Sequence, residues 1–336
     1  MTEQVKNISL TCTDVADKRP TFMTEYSTCT ATSGSTAEPT TRTYHIRWIY
    51  LLISVSIQVS TMMAFIGYAP VANIIDSNYG GGTHDTLNLI FIGITIPSYV
   101  FFILMSPRIG LRWLLLGCLA LTALGNGVRG LSVIDGPSAA QMKLILYLGH
   151  GIAAIGGPIP MILPTKVSSS WFPPSQRAIS TSVNSISPPF GILLINLIIP
   201  RIITKNSDLM ELNIIAFAIP FATLIVAIFT IHRNAPVIPP SLSAADGLRL
   251  PLKESLLTCF KSRAYLVLAI SVGGGTAMFN VLCVLMEKIL CIRGYDNAFS
   301  GLVTALMIAS GLVGATIAGL FVDRTKLFVE TLKVGY

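Results

Sequence analysis

The sequence predicts an all-α membrane protein that crosses the bilayer several times, and three observations carry this prediction. Of its 336 residues, 52% are hydrophobic and only 12% are charged, about half the charged fraction of a soluble domain. So few charges cannot cover a surface that faces water. Eight apolar runs each approach the ~20 residues that a helix needs to span a bilayer. These runs lack the alternation of a strand, so helices are the expected spanning form.

The eight apolar runs are numbered spans 1 to 8 in chain order. They lie at about residues 48–68, 87–105, 113–128, 144–163, 178–199, 212–231, 264–286 and 299–322. Residues 1–44 are rich in Thr and Ser and have no apolar period, which predicts a disordered tail. The tail has no apolar signal segment, so span 1 is expected to start membrane insertion.

The distribution of Lys and Arg predicts the orientation. With the N-terminus in the cytoplasm, fourteen basic residues near the membrane fall on the inner side and six on the outer side. The tail is therefore expected to be cytoplasmic, in the plasma membrane or an endomembrane, and the Asn7 sequon to be unmodified. The net charge of +7 is attributed to these inner loops, so no nucleic-acid partner is expected.

The longest connection between apolar runs, residues 233–263, predicts a boundary between two bundles. It begins with a Pro-rich stretch and ends with apolar side chains on one helical face, at Leu252, Leu256, Leu257 and Phe260. A short amphipathic helix on the inner membrane surface and a plain linker both fit this pattern. The predicted organisation is a tail (1–44), a six-span bundle (45–232), this linker, and a partial second bundle (264–336).

Two loops carry related motifs. Residues 319–326 read GLFVDRTK after span 8, and residues 107–112 read PRIGLR after span 2. The motifs lie roughly 215 residues apart and resemble the loop signature that occurs once in each six-helix half of the major facilitator superfamily. Further stretches resemble its solute carrier family 49, namely Ala69–Ala72, Gly110–Arg112, Trp171–Pro173, Gly301-Leu302 and Asp323–Lys326.

The resemblance implies a major facilitator fold with its first six-helix bundle and about two helices of the second, hence a C-terminally truncated chain. It implies a transporter that works by alternating access on small organic solutes such as choline, ethanolamine or haem. The signature residues are expected to act in gating: Gly110, Arg112, Gly319, Asp323, Arg324 and Lys326. Pro107 stands where the first signature has an acid, so Asp323 is the signature acid of this chain.

Few residues within the apolar runs carry chemistry, and they are the candidates for the substrate pathway. His150 is the one titratable group inside a run, while Arg129, Glu287 and Lys288 fall at the outer ends of their runs. The intramembrane amides are Gln58, Asn126, Asn184, Asn196 and Asn280. Each fits a substrate contact or an interhelical hydrogen bond worth roughly 0.6 kcal/mol. Without a carboxylate relay in these runs, the expected mode is facilitated movement down a gradient, with coupling through residues of the missing second-bundle helices as the alternative.

The glycines and prolines of spans 4 and 5 indicate helices that either move or pack closely against their neighbours. Glycines and prolines, Gly157 among them, are dense in both runs. Choline-handling members of the family are understood to hold the cation between aromatic faces of spans 1 and 7. Phe65 and Asn280 occupy those places here, and Tyr68 lies one turn beyond Phe65. A haem substrate would require an axial ligand, for which His150 is the central residue.

Two classes of function follow from the sequence. The first is a transporter of a small solute, with the lipid bilayer and the solute as partners. The second is a non-transporting membrane receptor or scaffold, including a truncated regulatory isoform. No cofactor, metal or enzymatic activity is expected, because neither a nucleophile–base pair nor a Cys/His cluster with ligand spacing occurs. The sequence leaves the oligomeric state open.

Overall fold

The computed structural model describes residues 42–134, 138–238, 240–241, 252–325 and 330. These residues form eleven α-helices and two short 3-10 helices, Ala69–Val71 and Asn206–Asp208, and contain no strand. The α-helices are α1 Arg47–Ile66, α2 Ala72–Tyr79, α3 Thr83–Met105, α4 Leu111–Leu131, α5 Ala139–Ile155, α6 Ile159–Trp171, α7 Pro174–Ile202, α8 Leu209–Thr230, α9 Leu252–Lys261, α10 Arg263–Cys291 and α11 Asn297–Thr325.

Eight segments within the described residues are long and apolar enough to cross a membrane, which confirms the predicted set of spans. Spans 1 and 4 are each built from two helices. Span 1 is interrupted at the 3-10 turn Ala69–Val71, where Pro70 has no N–H to continue the α-helix. Span 4 is interrupted between α5 and α6, at the Gly156-Gly157-Pro158 sequence. Both spans therefore run beyond the predicted ends, to Tyr79 and Trp171.

The first six spans pack around two apolar clusters, one toward each end of the bundle. One cluster includes Tyr50 and Trp171, whose rings stack at 4.0 Å, and the other includes Ile75 and Leu212. Spans 3 and 4 approach at glycine, since a Cβ on Gly125 would lie 2.6 Å from the carbonyl oxygen of Gly149. Only the absence of a side chain allows two backbones to come this close.

Spans 7 and 8 pack against spans 1 and 5 near one end only. Among the described side chains, the buried residues of span 7 are Cys283 and Glu287, and those of span 8 lie between Ser300 and Ile308. Cys283 and Ile308 join a small apolar cluster with Ile192 of span 5. We call the region around Lys288 the closed end, because the two parts of the chain meet there.

The predicted linker contains helix α9, so the helical alternative for this segment is confirmed over Leu252–Lys261. Its apolar side chains are exposed at Leu256, Leu257 and Phe260, as a helix on a membrane surface requires. Its contact with a membrane and the predicted domain boundaries stay predictions. Of the predicted tail, residues 42–44 are described. Asn7 lies outside the described residues.

Candidate functional site

A cavity of ≈ 510 Å³ lies between spans 1, 4, 5 and 7. The described residues that line it are uncharged. Amides, hydroxyls, thioethers and one aromatic ring are represented, including Gln58, Met62, Met161, Thr165, Thr181, Asn184, Ser185, Thr276, Phe279 and Asn280. A cavity of this size with a few convergent polar groups fits a small organic molecule.

Prolines of span 4 explain why Gln58 lies in the cavity wall. Pro164 lacks the N–H that would bond the carbonyl oxygen of Pro160 one turn earlier. The Gln58 amide nitrogen donates to that oxygen instead, at 2.9 Å. The other end of the amide, Oε1, is buried and has no hydrogen-bond partner among the described atoms. Gln58 therefore supplies the bond that the proline-broken helix lacks, and its Oε1 is left buried and unpaired among the described atoms.

Each of the two asparagines in the cavity has one N–H of its side-chain amide engaged within the protein. The Asn184 amide donates to Ser180 O at 3.1 Å, and its Oδ1 accepts from the Ser54 hydroxyl at 2.6 Å. The Asn280 amide donates to Thr276 O of its own helix at 2.8 Å. Each amide keeps a second N–H, and Asn280 Oδ1 accepts no bond among the described residues. The cavity therefore offers an acceptor as well as donors to a solute.

Gln58, Asn184 and Asn280 are the predicted intramembrane amides that line this cavity. Phe65 stacks on Phe91 at 4.7 Å, and Phe91 packs against the His150 ring at 5.3 Å. His150 is buried in this aromatic cluster. Gly157 lies at the break in span 4, where a Cβ would lie 3.0 Å from Thr95 Oγ1. Phe279 lines the cavity beside Asn280 and was not among the predicted residues.

Arg129 is buried inside the bundle, which corrects the expectation that His150 is the single titratable group there. Arg129 is 0% exposed, because span 3 extends to Leu131 and turns this residue inward. Its guanidinium donates to Ala64 O at 3.0 Å, to Asn126 Oδ1 at 3.2 Å and to the Tyr68 hydroxyl at 3.1 Å. It also lies 4.1 Å from the centre of the Tyr68 ring.

The network around Arg129 accounts for two further predicted residues, Tyr68 and Asn126. The Tyr68 hydroxyl donates to Asn213 Oδ1 at 2.6 Å. The Asn126 amide donates to Ala216 O of span 6 at 2.8 Å. In this conformation both side chains connect spans 1, 3 and 6, and neither lines the cavity. In this conformation Tyr68 therefore does not serve as an aromatic wall for a bound cation.

Polar contacts join spans 7 and 8 to spans 1 and 2 at the closed end. Lys288 Nζ lies 2.7 Å from Asp85 Oδ1 and 3.7 Å from Asp76 Oδ2. Beside it, the backbone N–H of Asn73 donates to Glu287 Oε1 at 3.3 Å. Asn297 of span 8 donates to Asn73 Oδ1 at 2.9 Å. These bonds cross between elements far apart in sequence, so they must break whenever this end opens.

The first signature loop is held by a residue that sequence reasoning missed, Asn234. The side-chain oxygen of Asn234 accepts from the backbone N–H of Arg112 at 3.0 Å, in the first turn of α4. Gly110 makes room for it, because a Cβ there would overlap the Asn234 side chain. Arg112 also donates to His232 O at 3.3 Å. Asn234 thus caps span 3 from the end of span 6.

The second signature loop is described only in part. Gly319 has nothing within 4 Å of an added Cβ, and Arg324 is exposed. The side chain of Asp323 and all of Lys326 lie outside the described residues. Their predicted roles in gating stay predictions.

No protein-family model matches the chain, but individual proteins do. It is 39% identical over 294 residues to an uncharacterised protein of Caenorhabditis elegans, covering 88% of this chain and 58% of that protein. It is 32% identical over 300 residues to solute carrier family 49 member A3 of Xenopus tropicalis, covering 88% and 62%. It is 23% identical over 313 residues to choline/ethanolamine transporter flvcr2b of Danio rerio, covering 89% and 63%.

The fold has a solved counterpart. The chain superposes with a TM-score of 0.61 on a bacterial homologue of the human lysosomal transporter Spinster, crystallised in an inward-facing and unoccupied conformation. The match covers 85% of this chain and 65% of that structure at 15% sequence identity. This similarity concerns the fold alone. The chain spans about three fifths of the length of the relatives named here. Its sequence is similar to members of solute carrier family 49, and its fold is the major facilitator fold.

Proposed function

We propose that this protein moves a small, hydrogen-bond-donating organic solute across the membrane by alternating access. The observation that carries the proposal is the neutral cavity between spans 1, 4, 5 and 7, together with polar contacts that close one end only. With the N-terminus in the cytoplasm, the closed end faces outward and the cavity belongs to an inward-open state. The bundle rocks around the cavity, and no covalent chemistry is needed.

The chemistry of the cavity supports a cationic or neutral alcohol or amine as the solute. The acceptor oxygen of Asn280 matches a hydroxyl or ammonium donor. The ring of Phe279 and the thioethers of Met62 and Met161 offer polarisable surface for methyl groups or a cation. An anionic solute would require a buried cation in the lining. Relatives named as choline/ethanolamine transporters are consistent with this class.

The uncharged lining also supports facilitated transport. A proton-coupled site needs a titratable group that changes charge during the cycle, and no such group lines the cavity within the described residues. We infer that the solute moves down its own gradient. Uptake should then be the same with and without an imposed proton or sodium gradient.

The test is uptake of radiolabelled ethanolamine and choline into proteoliposomes that contain the full-length protein. Asn280→Ala removes an acceptor from the cavity, and among the described residues the Asn280 side chain bonds only to Thr276 of its own helix. Loss of one hydrogen bond to the solute should lower uptake roughly 2- to 10-fold. Thr316→Ala, which also removes only an intrahelical bond but lies outside the cavity, should leave uptake unchanged.

Uptake no higher than in empty liposomes for both solutes would refute the proposed substrate class. Equal uptake by wild type and Asn280→Ala would refute the cavity as the binding site. A requirement for a proton or sodium gradient would refute the facilitative mode while leaving the cavity in place.

A further inference from the structure

A second pocket, of ≈ 420 Å³, lies at the opposite end of the bundle from Lys288, where spans 2, 3 and 4 meet. Two cations line it, Arg108 of the first signature loop and Lys166 of span 4. Hydroxyls of Ser106, Ser169 and Ser170 are also in the lining, and no Asp or Glu is found there within the described residues. Lys166 Nζ donates to Ser106 O, which holds its ammonium at the pocket wall.

The start of span 3 also borders this pocket. Gly110 and Leu111, at the N-terminus of α4, are part of the lining. Asn234, which lines the pocket too, caps the Arg112 N–H at this terminus. No acidic residue lies in the first turn of α4. The phosphate-binding chemistry of the pocket is therefore that of its two cations and its hydroxyls.

The position of the pocket at the membrane boundary indicates where the phosphate would come from. Trp113, in the first turn of α4, is 64% exposed, and exposed Trp is typical of the level of lipid headgroups. One turn before Arg108, the side chains of Ile103 and Leu104 are exposed and apolar. A phospholipid could place its headgroup in the pocket while its acyl chains cover these residues. A free anion would gain nothing from them.

We propose that this pocket binds the phosphate of an anionic phospholipid headgroup from the adjacent leaflet. With the N-terminus inside, this is the cytoplasmic leaflet, where anionic lipids are concentrated. Arg108 meets the phosphate at the exposed mouth of the pocket and Lys166 meets it at the inner wall. The bound lipid stabilises the loop between spans 2 and 3, which Asn234 ties to the end of span 6.

The experiment measures the Tm of the purified full-length protein in detergent with three probes. Dioctanoyl phosphatidylinositol 4-phosphate should raise the Tm by about 2–4 °C at concentrations well above Kd. Dioctanoyl phosphatidylcholine and inorganic phosphate should have little effect. The double substitution Arg108→Gln, Lys166→Gln should abolish the rise. Arg293→Gln, an exposed arginine beyond the closed end, is the matched control and should retain it.

Arg108→Gln alone keeps the experiment decisive if the double variant does not fold, because it leaves the bond between Lys166 and Ser106 intact. It should reduce the rise in Tm by at least half. An equal rise with inorganic phosphate, or with phosphatidylcholine, would overturn the assignment to an anionic lipid. A rise that is the same in Arg108→Gln and wild type would overturn the assignment to this pocket.

Discussion

At the scale of single residues, Arg129 shows how a membrane bundle accommodates a buried charge. No carboxylate pairs with Arg129 among the described residues. Its charge is balanced by the carbonyl of Ala64, the amide oxygen of Asn126 and the face of the Tyr68 ring. A charge inside a membrane protein is costly unless such groups surround it. Arg129 joins span 3 to span 1, and its partners Tyr68 and Asn126 extend the network to span 6.

Substitution of Arg129 by Gln should lower the stability of the protein by about 2–3 kcal/mol, because three bonds to a charged donor are lost. The measurement is the Tm in detergent. Arg201→Gln is the control, since Arg201 is exposed at the end of span 5. It should change the Tm little, as surface substitutions do. Equal Tm values for the two variants would show that the buried network contributes no stability.

Gln58 is the second residue whose role depends on its surroundings. Its amide nitrogen replaces the helix bond that Pro164 cannot make, while its oxygen stays buried and unpaired among the described atoms. The residue that repairs the helix is at the same time part of the cavity lining. This gives a physical reason for prolines beside the cavity, beyond the kinks that they introduce.

At the scale of the elements, interruptions determine where the spans meet. Span 1 breaks at Pro70, and its second part, α2, carries Asn73 and Asp76 toward spans 7 and 8. Span 4 breaks at Gly156–Pro158, one turn from the part of α6 that lines the cavity. Straight helices would not bring these groups to the same places. Discontinuous spans at a central site are a recurring feature of transporters.

The contact between spans 5 and 8 depends on a glycine, and this gives a prediction for the element. A Cβ on Gly301 would overlap Asn196 O and lie 2.8 Å from Pro200 Cγ. Gly301→Ala should therefore destabilise the protein by about 1–3 kcal/mol through overpacking. Gly311 of the same helix has nothing within 4 Å of an added Cβ.

Gly311→Ala should keep the Tm or raise it slightly, because Ala favours a helix over Gly. The two substitutions are chemically identical and lie on one helix, so helix propensity cancels in the comparison. A Tm for Gly301→Ala as high as that for Gly311→Ala would contradict the close packing of spans 5 and 8.

At the scale of the whole molecule, the proposed transport cycle requires the closed end to open. The contacts of Lys288 with Asp76 and Asp85 are partly exposed, so each is worth only about 0.2–1 kcal/mol. Weak contacts suit a gate, because they bias the two states without trapping one of them. The apolar cluster of Cys283, Ile192 and Ile308 adds non-directional contact beneath them.

Lys288→Ala should increase the labelling rate of Ser300→Cys, a position that is buried at the closed end, by a membrane-impermeant thiol reagent up to about fivefold, in a background with Cys291→Ser. The rate increases because a larger fraction of the molecules is in the conformation in which this end of the bundle has opened. Exchanging the charges in the double variant Lys288→Asp, Asp85→Lys should bring the rate back toward that of the background protein. Lys205→Ala, at the same end of the bundle, serves as the control. An unchanged rate in Lys288→Ala would refute the gate.

Periodicity and composition were sufficient for the span count and the fold class, because a bilayer demands long apolar helices whatever their partners are. The loop motifs were sufficient to identify the resemblance to solute carrier family 49, since they contain residues constrained by loop geometry and charge. Asn184 and Asn280 were identified as polar residues in apolar runs, and the tertiary structure places both in the cavity.

Tertiary structure alone decided which polar groups meet. Nothing in the sequence near Arg129 distinguishes a buried cation from a loop cation, because its burial depends on spans 1 and 6 lying beside it. The cap that Asn234 provides for span 3 joins residues 122 positions apart, and no local pattern encodes such a pair. The sequence by itself determined that these helices cross a membrane, because that property is local. Interruptions and close approaches of the helices determined the cavity and the contacts at the closed end, because those properties belong to the packed bundle.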